Sequence, residues 1–195
     1  MQIMRTDTQF GVEFYKTGVY TCRTAMLIAP ALRALIVALS PYDFYTNRLH
    51  GGDTSLEHVL PKSIHPTYKR DPHNLYITDR HVNCKRANYP FDEWTQAGDK
   101  GACVMLDKDT LEFRPIQQND VPEETLVVNP SKQIAYPPWY TKGVIGRVHF
   151  HAGSREELHL KWIADYAATD DERLRADLLY EFTGKPHRAH HIKRF

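Results

Sequence analysis

Residues 57–91, EHVLPKSIHPTYKRDPHNLYITDRHVNCKRANYPF, are the most informative part of the chain about both its fold and its chemistry. Glu57 and His58 lie in a short apolar segment that Pro61 stops, which predicts a strand entering a loop. A second apolar piece, 75–77, follows the turn-like DPHN at 71–74 and predicts another strand. Thr78 then stands where an N-cap would open a helix, so the predicted order is strand, strand, helix.

This unit can bring Glu57, His58 and Asn83 to one place. On the predicted helix, Asp79, Asn83 and Arg86 share a face by the i, i+4, i+7 rule. Neighbouring side chains on a regular strand point to opposite faces of the sheet. Glu57 and His58 can therefore serve one site only if the strand bends or ends at that pair.

The wording of the stretch, EHVxP at 57–61, DxHNL at 71–75 and VNxxRxN at 82–88, resembles the ββα-metal nucleases, also called His-Me finger or HNH-like nucleases. Among these it is most similar to the bacterial endonuclease I family of periplasmic and secreted nucleases. Looser motifs of that family follow in the same order: VVNP at 127–130, KGVIGR at 142–147, LKW at 160–162 and EFTGKPH at 181–187.

The resemblance implies a role for each matching residue. His58 is expected to be the general base, Glu57 and Asn83 to bind Mg2+, and Asn74 to stabilise the loop. Mn2+ and Ca2+ are candidate substitute ions by ligand chemistry, although Ca2+ demands more ligands. His73 is expected to brace the loop beside Asn74. The chain departs from the family pattern at Leu56 and Leu60, where an arginine and an aromatic residue are common.

These residue types suit phosphodiester hydrolysis. A near-neutral imidazole can take a proton from the attacking water, and a hard cation held by a carboxylate and an amide oxygen keeps positions open for phosphate. Arginine or lysine would hold the phosphate. Arg86, one helical turn from Asn83, is the predicted catalytic contact, and Arg70, Lys85 and Lys69 are further phosphate-binding candidates.

Each residue alone has a simpler interpretation. A Glu-His pair is commonly solvated, and an asparagine near a helix start is more often a cap than a ligand. For His65 and His81, packing or a backbone hydrogen bond is the favoured interpretation. The order and spacing of the whole stretch nevertheless favour an active nuclease unit.

Composition sets outer limits. With 195 residues, 42% of them hydrophobic, the chain can bury one core, which predicts a single nuclease domain over residues 1–195. Its ββα-metal core is expected at about 54–92 and C-terminal helices at about 154–183. The net charge of +1 requires any nucleic-acid surface to come from local clustering. The ββα-metal segment contains such a cluster of basic residues: Lys62, Lys69, Arg70, Arg80, Lys85 and Arg86.

The cysteines and the apolar segments bear on location. Cys22, Cys84 and Cys103 cannot all pair and show no C-x-x-C spacing, so reduced thiols and an intracellular location are predicted. Cys84 is expected to be buried on the far side of its helix. Residues 26–39 are too short, and too interrupted by Pro30, to span a bilayer, and no signal peptide is recognisable. A buried helix kinked at Pro30 is predicted there.

The remaining segments predict supporting structure. Residues 102–106 and 111–113 flank DKDT and predict a hairpin, and the proline-rich 115–141 predicts a long ordered loop. Ser154 and Thr169 each begin a capping-box pattern for a helix, and Gly184 is a stop signal. The basic tail 185–194 either contacts a nucleic-acid backbone or is simply solvated.

The predicted fold class is α+β, with a ββα-metal (His-Me finger) core, flanking helices and a small β-hairpin. The predicted function is Mg2+-dependent endonucleolytic hydrolysis of DNA, with RNA as a further candidate and no membrane partner. Low sequence specificity is expected, because backbone contacts carry no base information. Two alternatives remain open: a site- or structure-selective nuclease of a phage, virus or mobile element, and a catalytically inactive nucleic-acid-binding protein.

Overall fold

Two small antiparallel sheets and five α-helices make up the described part of the computed structural model, residues 22–95 and 102–187, with the backbone alone described for 22–29. The predicted α+β class is confirmed. The helices are α1 Cys22–Leu39, α2 Arg80–Arg86, α3 Trp139–His151, α4 Glu157–Asp165 and α5 Asp170–Thr183. The strands are β1 Thr54–His58, β2 Leu75–Asp79, β3 Val104–Leu106, β4 Phe113–Pro115, β5 Val127–Asn129 and β6 Ile134–Tyr136.

Strands β1 and β2 form the predicted hairpin, and α2 follows it directly. The antiparallel register pairs Thr54 with Asp79 and His58 with Leu75, so β1 ends at the residue predicted to be the base. The helix cap differs from the prediction by one residue. Asp79 accepts hydrogen bonds from the first-turn N–H groups, while Thr78 still belongs to β2. A carboxylate at the end of a strand can cap without leaving the ladder.

The hairpin lies between two apolar layers. On one face Leu75 and Ile77 pack against Ile36 of α1, the helix predicted for residues 26–39, which begins at Cys22 and contains Pro30. On the other face Tyr76 joins the main core, whose largest buried side chain is Trp162 of α4. Because side chains alternate along a strand, the same alternation separates Glu57 from His58.

The second sheet has the strand order β4-β3-β5-β6. The predicted β3–β4 hairpin is present. The prediction of one long loop at 115–141 is wrong, because this segment contains β5 and β6 and the start of α3. Strands of three residues leave almost no periodic signal in a sequence, and their pairing depends on distant partners. Residues 90–92, just after α2, are joined by backbone hydrogen bonds to Ala135 of β6.

Helix α3 was not predicted, since Gly143 and Gly146 interrupt its sequence. Gly146 faces α4, and Gly143 faces Tyr166, the residue after α4. Neither position has room for a Cβ atom. A Cβ on Gly146 would lie 2.7 Å from the His159 carbonyl oxygen, and one on Gly143 would lie 2.5 Å from that of Tyr166. Tertiary packing therefore overrides the low helix propensity of glycine here.

The predicted caps have different outcomes. Thr169 accepts a hydrogen bond from Glu172 N–H, and Gly184, with φ +67°, ends α5, so both predictions are confirmed. The capping box at Ser154 is wrong: α4 begins at Glu157 with Glu156 as N-cap and no side-chain cap.

Cys84 is exposed, which corrects the prediction of a buried position, and Cys103 is buried. Cys84 is a free thiol. No helix among those residues is long and apolar enough to cross a membrane. The basic tail from residue 188 onward lies outside the described part of the chain.

Candidate active site

Glu57 points from β1 into the core and is fully buried. Its Oε1 atom accepts a hydrogen bond from the Tyr45 hydroxyl at 3.0 Å and lies 3.3 Å from Arg86 Nη1. Its Oε2 atom is buried without a hydrogen-bond partner among the described residues. Burial raises the pKa of Glu57, against the opposing effects of Arg86 and the Tyr45 hydroxyl. One carboxylate oxygen is thus fixed and the other keeps unused lone pairs.

His58, on the opposite face, is partly buried and held by a backbone carbonyl. Its Nε2 atom lies 3.1 Å from the carbonyl oxygen of Lys69. Because a carbonyl only accepts, this contact assigns the proton of the neutral ring to Nε2 and leaves Nδ1 as the acceptor nitrogen. Burial lowers the pKa of His58, and the charges of Lys62 and Lys69 lower it further. The imidazole is therefore neutral and able to act as a base at pH 7.

Asn83 reaches β1 from α2. Its Nδ2 atom donates to the Leu56 carbonyl at 3.0 Å and to Ser55 Oγ at 2.8 Å. The same Leu56 carbonyl interacts with the His58 imidazole and raises its pKa, against the larger effect of burial. The structure thus brings His58 and Asn83 to one peptide group. Glu57 belongs to the buried cluster with Tyr45 and Arg86, and no hydrogen bond among the described residues joins its carboxylate to His58 or Asn83.

Glu57 and Asn83 each offer an oxygen donor of the kind that a hard divalent cation prefers. Glu57 offers Oε2, which has unmet lone pairs, and Asn83 offers Oδ1, since its Nδ2 is committed to β1. Mg2+ prefers oxygen and retains several waters, so two protein ligands are sufficient for it. No group of three or more His, Cys, Asp or Glu side chains in the described residues could hold a metal ion, which leaves a zinc-type site unsupported there.

Arg86 is placed differently from the prediction that it contacts substrate. Its side chain is buried, and its guanidinium donates to Val59 O at 2.9 Å and to Ala87 O at 3.1 Å and lies 4.2 Å from the Phe91 ring centre. Together with its ion pair to Glu57, these contacts enclose the charge. In this arrangement Arg86 positions β1 from within and cannot reach a phosphate at the surface.

Two exposed cations, Lys62 and Lys69, act on the imidazole instead. Lys69, Arg70 and Lys85, the other predicted phosphate ligands, are all exposed. Lys62 is exposed too, and its charge acts on His58 together with that of Lys69. From the sequence, Lys62 was predicted only as a member of the basic cluster and not as a neighbour of His58. Its proximity to His58 depends on the path of the loop between β1 and β2.

Asn74 holds that loop from inside. Its Oδ1 atom accepts from Leu60 N–H at 2.7 Å, and its Nδ2 donates to the carbonyls of Leu60 at 3.0 Å and Tyr68 at 3.1 Å. His73 is also buried, with Nε2 2.9 Å from the Lys185 carbonyl oxygen, and burial lowers its pKa to about 4. The contacts of Asn74 and His73 fix the segment that supplies Lys62 and Lys69.

Tyr45 is the residue that sequence reasoning missed. It is fully buried, and its hydroxyl is the one neutral donor to Glu57 among the described residues. Tyr140 donates in turn to the Tyr45 carbonyl at 2.6 Å. Nothing in the local pattern around residue 45 signals this role, because the partner lies twelve residues away on another element.

Comparison with known proteins gives a family match. The model of the endonuclease I family matches residues 45–187, well over half of the chain. This span contains Tyr45, the β1–β2 hairpin, the second sheet and the helices α2 to α5, whereas α1 lies before it. No curated protein sequence matches the chain.

Proposed function

This chain belongs to the endonuclease I family, and from that premise we propose that it cleaves DNA internally with His58 as general base and one Mg2+ ion held by Glu57 and Asn83. Membership of the family makes the chain a nuclease, a hydrolase whose substrate is nucleic acid. The choice of DNA, the base and the metal are the proposal.

The observation that carries this proposal is the orientation of His58. Its Nε2–H is committed to the Lys69 carbonyl, so Nδ1 is left as the acceptor on a partly buried, neutral ring. A general base must be deprotonated at the working pH and aimed by a second group, and both conditions are met. Base catalysis of this kind contributes roughly 10²–10⁴ in rate.

The phosphate would be held by the cations around the imidazole. Lys62 and Lys69 are exposed and close enough to act on the pKa of His58. Arg70 is exposed beside Lys69. Contacts of lysine and arginine with phosphates position a strand without reading its bases, which supports a low dependence on sequence.

Glu57 Oε2 and Asn83 Oδ1 are the atoms proposed to hold the ion, with Mn2+ and Ca2+ as substitutes to test. When bound, Mg2+ supplies positive charge to the phosphate and to the leaving oxygen. The chain itself keeps the two donors in place: Arg86 and Tyr45 fix Oε1 of Glu57, and the Leu56 carbonyl fixes the Asn83 amide.

A plasmid-nicking assay in a metal series tests the proposal. Supercoiled DNA should be relaxed with Mg2+, and EDTA should stop the reaction. His58→Ala should lower the rate by about 10²-fold or more while the unfolding midpoint stays unchanged. His81→Ala, at an exposed histidine of α2, is the matched control and should cut normally.

The other outcomes discriminate between functions. Cutting by His58→Ala at the wild-type rate would remove His58 from the proposed role. A gel shift of DNA without any relaxation would indicate a binding protein without activity. Cut positions mapped on several duplexes and junctions would reveal a site- or structure-selective enzyme, and RNA in the same assay measures the preference between the two nucleic acids.

A further inference from the structure

A cavity of about 550 Å³ opens where the loop after β1 meets the junction between α3 and α4. We name it the junction cleft. Its walls include Leu60, Pro61 and Ile64 from the loop, and Pro90 and Phe91 from the segment after α2. The volume falls within the range of roughly 300–1,000 Å³ that is typical of small-molecule sites. Because the walls are mainly apolar and the protein acts on nucleic acid, an apolar part of the substrate is the expected ligand.

A pair of flat, uncharged rings forms the wall on the helix side. The rings of His149 and His159 stack with their centres 3.8 Å apart and their planes at 26°. Burial lowers the pKa of His149 to about 3, and burial also lowers that of His159, so both rings are neutral at pH 7. A neutral aromatic wall favours an uncharged planar ligand over a phosphate.

Two of the lining side chains have unused hydrogen-bonding capacity. Arg86 Nε and His149 Nε2 have no hydrogen-bond partner among the described residues. Arg86 is only 1% exposed. Both nitrogens are covered by the surrounding protein atoms, so an acceptor on a ligand would reach them only after these side chains move.

The junction cleft is coupled to the strand that carries the proposed base. Val59 and Leu60, which line the cleft, directly follow His58 in the chain. Arg86 lies in the cleft wall and also contacts the His58 and Val59 carbonyls, at 3.4 Å and 2.9 Å. A nucleic-acid strand with one phosphate at His58 therefore has a neighbouring nucleotide within reach of the junction cleft.

We propose that the junction cleft binds one nucleobase of the substrate strand, unstacked from its neighbours, while a nearby phosphate lies at His58. A nucleobase is planar and uncharged, and its apolar faces match the apolar walls and the stacked rings of the cleft. This inference rests on the proposed function. Unpairing and unstacking a base in a duplex costs a few kcal/mol, so single-stranded or frayed DNA should be cut faster than intact duplex.

An abasic scan tests the inference. Single-stranded oligonucleotides with one defined cut site are made with an abasic residue at each position in turn. Stacking on an aromatic wall should make one position cost about 5- to 150-fold in cleavage rate. Ala152→Phe adds a ring to the cleft wall, at a position whose backbone conformation any residue can adopt. In this variant the same abasic residue should lower the cleavage rate by less than about twofold.

A second pair of variants keeps the test valid if Ala152→Phe does not fold. Ile64→Ala removes a half-exposed wall residue, 54% exposed, and should flatten the abasic profile. Leu174→Ala, 57% exposed on α5 and outside the cleft, is the matched control and should keep the wild-type profile. A profile that is flat in the wild type, or unchanged in Ile64→Ala, overturns the inference.

Binding separates this inference from the proposed catalysis. His58→Ala protein is mixed with oligonucleotides that carry 2-aminopurine at successive positions, and fluorescence reports the unstacked base without any cutting. A fluorescence change at one position that is abolished when Ile64→Ala is added supports base binding in the junction cleft, even if the wild type cuts nothing. The absence of any position-dependent change rejects the cleft even if the enzyme is active.

Discussion

Tyr45→Phe is the sharpest test of how the site is held, because it removes one oxygen atom and keeps the ring that packs in the core. The Tyr45 hydroxyl donates to Glu57 Oε1 at 3.0 Å, and both side chains are fully buried. Hydrogen bonds to charged groups contribute about 1.5–3 kcal/mol. Arg86 remains 3.3 Å from the same oxygen, so the lower part of that range, about 1.5–2 kcal/mol, is the expected loss in the free energy of unfolding.

Urea denaturation at pH 7, followed by circular dichroism, measures this loss. Tyr42→Phe, at a tyrosine that is 52% exposed, is the matched control and should change stability by less than about 0.5 kcal/mol. If Tyr45 fixes a metal ligand, calorimetric titration with Mg2+ should also show an affinity about tenfold weaker in Tyr45→Phe. Equal stability and equal Mg2+ affinity in Tyr45→Phe and wild type would refute the role assigned to the hydroxyl.

Three further outcomes follow from other parts of the structure. Gly146→Ala should lower stability by about 1–3 kcal/mol, since its Cβ would lie 2.7 Å from a backbone oxygen of α4, whereas Gly51→Ala, in open space, should be close to neutral in the same urea titration. Asn74→Ala should lower the free energy of unfolding by about 1.5–4.5 kcal/mol, from three hydrogen bonds at about 0.5–1.5 kcal/mol each, with exposed Asn88→Ala as control. Because the folded-state pKa of His149 is about 3 and the unfolded value is about 6.5, the unfolded chain binds the extra proton between these pH values, so stability is full above pH 6.5 and should fall by up to about 1.4 kcal/mol per pH unit below it. His149→Gln should flatten that slope in urea titrations from pH 7 to 4, and an unchanged slope would contradict the neutral buried ring.

Much of the fold around the site could be predicted because its signals are local. The β1–β2–α2 order followed from two short apolar pieces and a capping residue, and the structure moves the cap only from Thr78 to Asp79. The end of β1 at His58 was expected from Pro61, three residues later. Thr169 and Gly184 marked α5 because capping needs only atoms within one helical turn.

Other features depend on distant partners and gave no local signal. Helix α3 forms despite two glycines because α4 packs closely against it, and β5 and β6 are too short to show a period. Arg86 has the sequence position of a surface contact, but Glu57 and the β1 carbonyls enclose it. Cys84 was expected on the buried side of α2 and lies on the exposed side.

Local sequence signals specified the types of chemical group, their order, and the strand–strand–helix unit that holds them, since propensity, capping and alternation act over a few residues. Only the packing of the elements established that His58 is aimed by the Lys69 carbonyl, that Glu57 is shared by Tyr45 and Arg86, and that a cleft opens beside them. These contacts join residues far apart in the chain, and burial and pairing between such residues are fixed only when the separate elements pack together.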